Sequence, residues 1–356
     1  AGTITGGRQG VSIQGNATDG VEREGQHASV VNTGTISGTG DFGGTYQGGF
    51  GVSFGSNLET ASLVNSGTIT SDFAEGVSQG SLADLVIDNQ EGGVIEGGTS
   101  GIYGGSSGTL TVVNAGTIRG NGTYDGFARA PDAGITIGTA GSSVSNSGTI
   151  SGAGAGVTTA YLFNPELGQL VLLAEGTTVV NSGTIIGETN DGVRLIGGGS
   201  VTNSGTIAGV AGEGTDGVSM FQGTGQAFDS YSALVTNAAE GEISGARFGV
   251  ILSEGGIVEN DGTIVGEGLG GTLIQQANAT IGLNLVDGAI VNNGSIVGVN
   301  GYGAVITVSG DASLTNSGSI LGGTFGAVLE GREDNGDGER TAMLANSGTI
   351  GGADSF

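Results

Sequence analysis

The densest acidic run in this sequence is Glu333-Asp334-Asn335-Gly336-Asp337-Gly338-Glu339. It places oxygen ligands at alternate positions and then a glycine, as the first half of a calcium loop does. Glu333, Asn335, Asp337 and Glu339 are the candidate ligands, and calcium is the one cofactor to consider. The glutamate expected at the twelfth position is Leu344, so a solvated acidic loop is the plainer reading. His27 is the sole histidine and lies beside Glu22, Arg23 and Glu24 in a segment read as a loop. One imidazole cannot build a metal site, and a Ser-His-Asp arrangement would have to use it. No Gly-x-Ser-x-Gly elbow precedes a helical segment. Asp125, Asp191 and Asp216 stand in similar turns, beside Arg129 or Arg194, and could form a weak carboxylate row. Other outward charges (Asp88, Arg119, Arg194, Glu259) are scattered, whereas a polysaccharide lyase or hydrolase needs them gathered on one face. No catalytic residues are assigned and the reading is not an enzyme. Aromatic residues gather where the repeat is interrupted: Phe42, Tyr46, Phe50, Tyr124, Phe127, Tyr161, Phe163, Phe228 and Tyr231. They could bind sugars or a partner surface, or cover strand ends as small satellite cores.

The elements that position these residues come from a repeat. Versions of Asn-Ser-Gly-Thr-Ile recur thirteen times, complete at Asn65, Asn146, Asn181, Asn203 and Asn346. Two residues before each Asn the side chain is apolar, as at Val30, Leu63, Val112 and Val258; one before it, mixed types such as Asp88, Thr202 and Glu259 are tolerated. This period-two alternation marks a strand, and its parity turns the Asn inward. Asn32, Asn65, Asn114, Asn146, Asn181, Asn203, Asn260, Asn292, Asn316 and Asn346 are therefore expected to stack as an internal ladder of side-chain amides that also satisfy backbone groups. The Gly two places on (Gly34, Gly67, Gly148, Gly348) is read as supplying the positive φ of a sharp corner. Thr or Ser and Ile then open a second strand. A third begins half a period later with Gly and an apolar alternation, as in Gly51-Val52-Ser53-Phe54 and Gly192-Val193-Arg194-Leu195. Two copies, Asn89 to Ile95 and Asn237 to Ile243, carry two extra residues, which keeps the Ile facing inward.

Successive asparagines are separated by 22 to 35 residues. The shortest interval, Asn181 to Asn203, is close to one coil of a parallel β-helix; the longer ones are a coil plus a loop. The predicted fold is all-β: a single-stranded, right-handed parallel β-helix solenoid of about 12–13 coils, each with three short strands. Loops are inserted at about 14–29, 39–50, 120–133, 158–177, 221–233, 265–281 and 330–342. Thirteen corners at a strand spacing of about 4.8 Å give a rod roughly 60 Å long. Residues 1–356 read as one continuous domain, because each coil contacts only its neighbours.

Composition agrees. Eighty Gly and two Pro without a Gly-X-Y period exclude collagen, and the apolar alternation argues against disorder. The formal net charge is −26, with eight Arg and no Lys, so nucleic acid is not an expected partner. Without Cys there are no disulfides or thiol chemistry. No apolar run reaches a membrane-spanning length. Ala1-Gly2-Thr3-Ile4 begins inside the motif and neither end resembles a cap, so a segment of a longer polypeptide is expected.

Repeats of the form Val-x-Asn-Ser-Gly-Thr-Ile-x-Gly followed by Gly-Val-x-Leu resemble the passenger regions of autotransporters, the type V secreted proteins of Gram-negative bacteria, over nearly the whole chain. That resemblance implies export, translocation by a C-terminal outer-membrane β-barrel in the full-length precursor, and display at the cell surface or release outside the cell. The leading expectation is a non-catalytic, adhesin-like stalk whose loops contact a host or neighbouring cell surface through glycan or protein. Two alternatives stand beside it: a carbohydrate-active β-helix, and a self-associating subunit of a stacked filament or surface layer.

Overall fold

The computed structural model describes residues 2–15, 26–40, 49–55, 57–80, 84–122, 132–164, 169–172, 174–212, 214–221, 233–275, 287–331 and 341–352. The described residues form strands and turns and no helix. The strands order into three parallel sheets of 13, 12 and 12 strands, visited in turn by each coil. The first sheet holds the Thr-Ile strands (Thr3–Gly6, Thr35–Gly38 and their copies), the second the Gly-Val strands (Gln9–Ile13, Phe50–Phe54 and onward), and the third the strands ending in Asn (His27–Asn32, Thr60–Asn65 and onward). A short antiparallel pair, Tyr161–Asn164 with Gln169–Leu172, stands apart from them. The chain is a parallel β-helix solenoid with three strands per coil.

Two compact units are distinguished, residues 1–179 with 183–188, and residues 180–182 with 189–356. In the first, register aligns Ile36, Ile69, Ile95, Ile118, Ile150 and Ile185 as one inward column. Leu63, Ile87, Val112 and Val144 form a second, and Val52, Val77, Ile102, Ile135 and Val157 a third. All of these side chains are buried, each contributing about 2 kcal/mol of apolar transfer. The second unit repeats the scheme with Ile207, Ile243, Ile264, Ile296 and Ile320 in the first sheet and Val201, Val235, Val258, Ile290 and Leu314 in the third. Its second-sheet column runs Val193, Val218, Val250, Thr272, Ala304. Thr272 is buried there without a hydrogen-bond partner for its hydroxyl. The two longer motif copies keep Ile95 and Ile243 in their columns: the added residues close a small turn in which Gly93 N donates to Gln90 O and Gly241 N to Ala238 O.

The corner between the third and first sheets is built by asparagine. Asn65 Nδ2 donates to Asn89 Oδ1 at 2.8 Å, to Gly67 O in its own coil at 3.1 Å and to Val94 O in the next at 3.2 Å. The same direction of donation runs Asn32 to Asn65, Asn89 to Asn114 and Asn114 to Asn146 in the first unit. In the second it runs from Asn181 through Asn203, Asn237, Asn260, Asn292 and Asn316 to Asn346. Where two residues are added, the own-coil acceptor moves to Gly93 or Gly241. The corner glycine is needed for a reason other than the one expected. Gly34, Gly67, Gly148 and Gly348 have no left-handed backbone; instead a Cβ on Gly67 would sit 2.1 Å from the carbonyl oxygen of Gly34 in the preceding coil. Close stacking of corners, and not turn conformation, excludes a side chain there.

The loop expected at 265–281 is in part a strand: Gly270–Gln275 belongs to the second sheet, and the insertion follows it. Its Gly-Gly-Thr-Leu start lacks the apolar residue that marks the other copies. All seven insertions therefore leave the two corners that bound the second sheet, and the asparagine corner accepts only its two-residue additions.

Candidate functional site

The residues just before the second-sheet glycines form a column of their own. In the second unit, register carries Val193 onto Val218 and Val218 onto Val250, and so places Asp191, Asp216 and Phe248 at one corner on successive coils. The column continues from Phe248 to Gly270 and Tyr302. Asp191 is 3% exposed and Asp216 0%. Charges this deep need partners. Asp216 has them in full: Arg247 Nε donates to Oδ1 at 2.9 Å, Arg247 Nη2 to Oδ2 at 2.5 Å, and Phe248 N to Oδ1 at 3.1 Å. This is the bidentate geometry in which guanidinium binds carboxylate best. Asp191 has only neutral donors. Asp216 N donates to its Oδ1 at 2.8 Å, and Ser219 Oγ donates to its Oδ2.

Burial, and after it the negative charge of Asp216, push the Asp191 carboxyl up to about 6; the Ser219 and Asp216 N–H bonds and the charge of Arg194 pull the other way. Burial also raises Asp216, against the bond and charge of Arg247. Arg247 in turn is raised by its bond to Asp216. Its guanidinium lies 5.4 Å from the Phe248 ring centroid, and that of Arg194 lies 5.5 Å from Phe221. Arg194 Nε is buried without a hydrogen-bond partner. The arrangement can hold or release a proton at Asp191; both carboxylates are shielded from a substrate in solution.

Part of the predicted carboxylate row is thus brought together, with a different cation in direct contact. Asp191 and Asp216 stack, and the ion pair is with Arg247, not Arg194. The signal for Arg247 was its place two residues before Gly249 in the following coil. Asp125 and Arg129 lie outside the described residues. So do Phe42, Tyr46, Tyr124, Phe127, Phe228 and Tyr231, and the candidate calcium ligands Glu333, Asn335, Asp337 and Glu339. Phe50 opens the strand Phe50–Phe54 and is half-buried. Tyr161 and Phe163 pair with Leu172 and Leu170 across the antiparallel strands. His27 is not in a loop: it is the first residue of the strand His27–Asn32, exposed, with Nδ1 2.7 Å from Thr60 Oγ1. Among the described residues no group of three or more His, Cys, Asp or Glu side chains could hold a metal ion. Sequence reasoning missed one aromatic pair. Tyr302 and Phe325 stack with centroids 5.7 Å apart and rings 11° from parallel. Both are exposed, and each stands one residue before a second-sheet glycine.

Fold and corner define a parallel β-helix scaffold with a buried ionic cluster in its second unit. No protein-family model, no curated protein and no solved structure matches the chain.

Proposed function

We propose that this chain is a non-catalytic surface scaffold of the autotransporter-passenger kind, a stalk that presents its insertions to a partner surface outside a Gram-negative cell. The observation that carries the reading is the placement of the insertions. All seven flank one sheet, and the opposite corner is locked by asparagine amides. Some outward residues of the second sheet are buried, Thr136 and Thr158 in the first unit and Ser219 and Ile251 in the second, while others such as Ser53 and Leu273 are half-buried. Outward residues of the third sheet, such as Val31 and Val113, remain open. Loops on a rigid frame are where recognition usually sits. The best-formed carboxylate pair is buried and already bonded, which supports a structural role for it over glycoside chemistry.

The test is adhesion of the purified chain to epithelial and bacterial cells and to a glycan array, with insertion 222–232 or 276–286 replaced by a short turn. Loss of binding with an unchanged melting temperature is the expected result. Full binding by a chain lacking the insertions overturns the loop assignment. Release of reducing ends from an arrayed glycan overturns the non-catalytic one.

A further inference from the structure

We propose that the Asp191–Asp216 corner is a pH-sensitive clasp within the second unit, closed while Asp191 carries a proton and loosened when both carboxylates are ionised. The geometry supplies the asymmetry. Two acidic residues stand on consecutive coils with their side chains buried, and the backbone N–H of Asp216 donates to Asp191 Oδ1. The Arg247 guanidinium binds Asp216 in bidentate fashion. Asp191 is left with an amide and a hydroxyl, which favour a carboxylate less than a cation does. Like charges this close in a site of low polarity do not ionise independently. The charged groups acting on Asp191 are Asp216, which opposes its ionisation, and Arg194, which favours it without a hydrogen bond from Nε; Arg247 bonds to Asp216 and interacts with Asp191 through charge alone, and Arg194 also acts on Asp216.

Protonation needs no rebuilding. Ser219 is a donor to Asp191 in the closed corner, and a hydroxyl can turn to accept instead. What the clasp holds is the turn ending at Asp216. Gly192 N donates to Asp216 O at 3.0 Å, Arg247 N to Thr215 O at 2.8 Å, and Thr215 Oγ1 to Gly212 O at 3.2 Å.

The sign follows from the direction of the shift. Asp191 binds its proton more tightly in the closed corner, at about 6, than at its ordinary 3.8. The contribution to closure is therefore complete below the ordinary value and is lost as pH rises through 6. A gap of this size corresponds to a change in the opening equilibrium on the order of a hundredfold.

Hydrogen exchange of the whole chain between pH 4.5 and 8, corrected for the intrinsic pH dependence of exchange, tests the clasp at the amides of Gly192, Asp216 and Phe248. Across this window opening is expected to rise by on the order of thirtyfold with a midpoint near 6, and Asp191→Asn is expected to stay closed throughout. Ser219→Ala, which removes a donor to the carboxylate, is expected to move the midpoint to higher pH. An Asp191→Asn chain that opens with pH as the wild type does overturns the proposal, and so does a Ser219→Ala midpoint that does not move. An equal rise at the Thr263 amide, in the asparagine corner of the same unit, would show loosening of the whole unit and also overturn it.

Discussion

The second unit buries two polar stacks, one at each of two corners, and they are built on opposite terms. At the asparagine corner every residue of the stack is the same neutral amide, and each Nδ2 serves its own coil and the next. At the aspartate corner the stack is charged, spans two coils and depends on one arginine. A neutral group that both donates and accepts can be extended by one copy per coil without accumulating charge. A carboxylate cannot, since a second copy repels the first and calls for a cation. The amide corner therefore works as repeated architecture. The acid corner is a local feature whose stability depends on solution conditions.

Four substitutions would break or sharpen that contrast. The largest effect is expected from Asn203→Ala. It removes one acceptor of the Asn181 amide, which keeps Thr206 O, and the donor to the Asn237 side-chain oxygen and to the carbonyls of Gly205 and Glu242, at a cost of about 3 kcal/mol in urea denaturation. A loss below about 1 kcal/mol would mean that the ladder follows from the fold and does not support it. Next is Arg247→Met. It leaves Asp216 buried without its cation, which costs about 2 kcal/mol at pH 7.5. The loss should shrink toward pH 5, because the Asp216 carboxyl, already raised by burial, rises further without Arg247 and takes up a proton in its place. Thermal melts at the two pH values check this, and a cost independent of pH would put Asp216 on the same footing as the asparagines. Ile243→Val, which removes one methylene from a fully buried column, should cost about 1 kcal/mol and calibrates both corners against simple packing. The smallest effect is expected from Asn293→Ala. Asn293 donates to Asp261 at 2.8 Å and accepts from Ser317 at 2.6 Å, so it forms a ladder of the same coil-to-coil kind on the outside. Being exposed, it should change stability by no more than about 0.5 kcal/mol. Equal losses for Asn293→Ala and Asn203→Ala would show that burial is not what gives the inner ladder its strength.

Much of the fold was legible because it is written in periodic form. The alternation around Val112 and Asn114 sets a strand and its inward face, and Ile at a constant offset supplies a column. Even the two-residue additions at Asn89 and Asn237 kept the columns, as parity requires. Less was legible at positions whose reason lies in another coil. Gly67 looks like a turn residue until Gly34 O is found where its side chain would be. Gly270–Gln275 escaped because its strand starts with two glycines. The aspartate corner was visible as a recurring Asp-Gly, yet Arg194, three residues from Asp191, looked the better partner than Arg247 from the following coil. Tyr302 and Phe325 stand beside second-sheet glycines and not in the insertions, so no interruption of the repeat marks them.

By itself the sequence determined the number of coils, the three-strand repeat and the side of each strand that faces inward, because these depend on local alternation and on a motif recurring every 22 to 35 residues. Only the tertiary structure decided which carboxylate receives the guanidinium, which way the amides of the ladder point, and that every insertion opens beside the second sheet. Those are properties of stacked coils. The groups concerned lie 20 to 40 residues apart in the chain, as with the 31 residues between Asp216 and Arg247. Stacking a few ångströms apart brings them together, and no local pattern encodes that partnership.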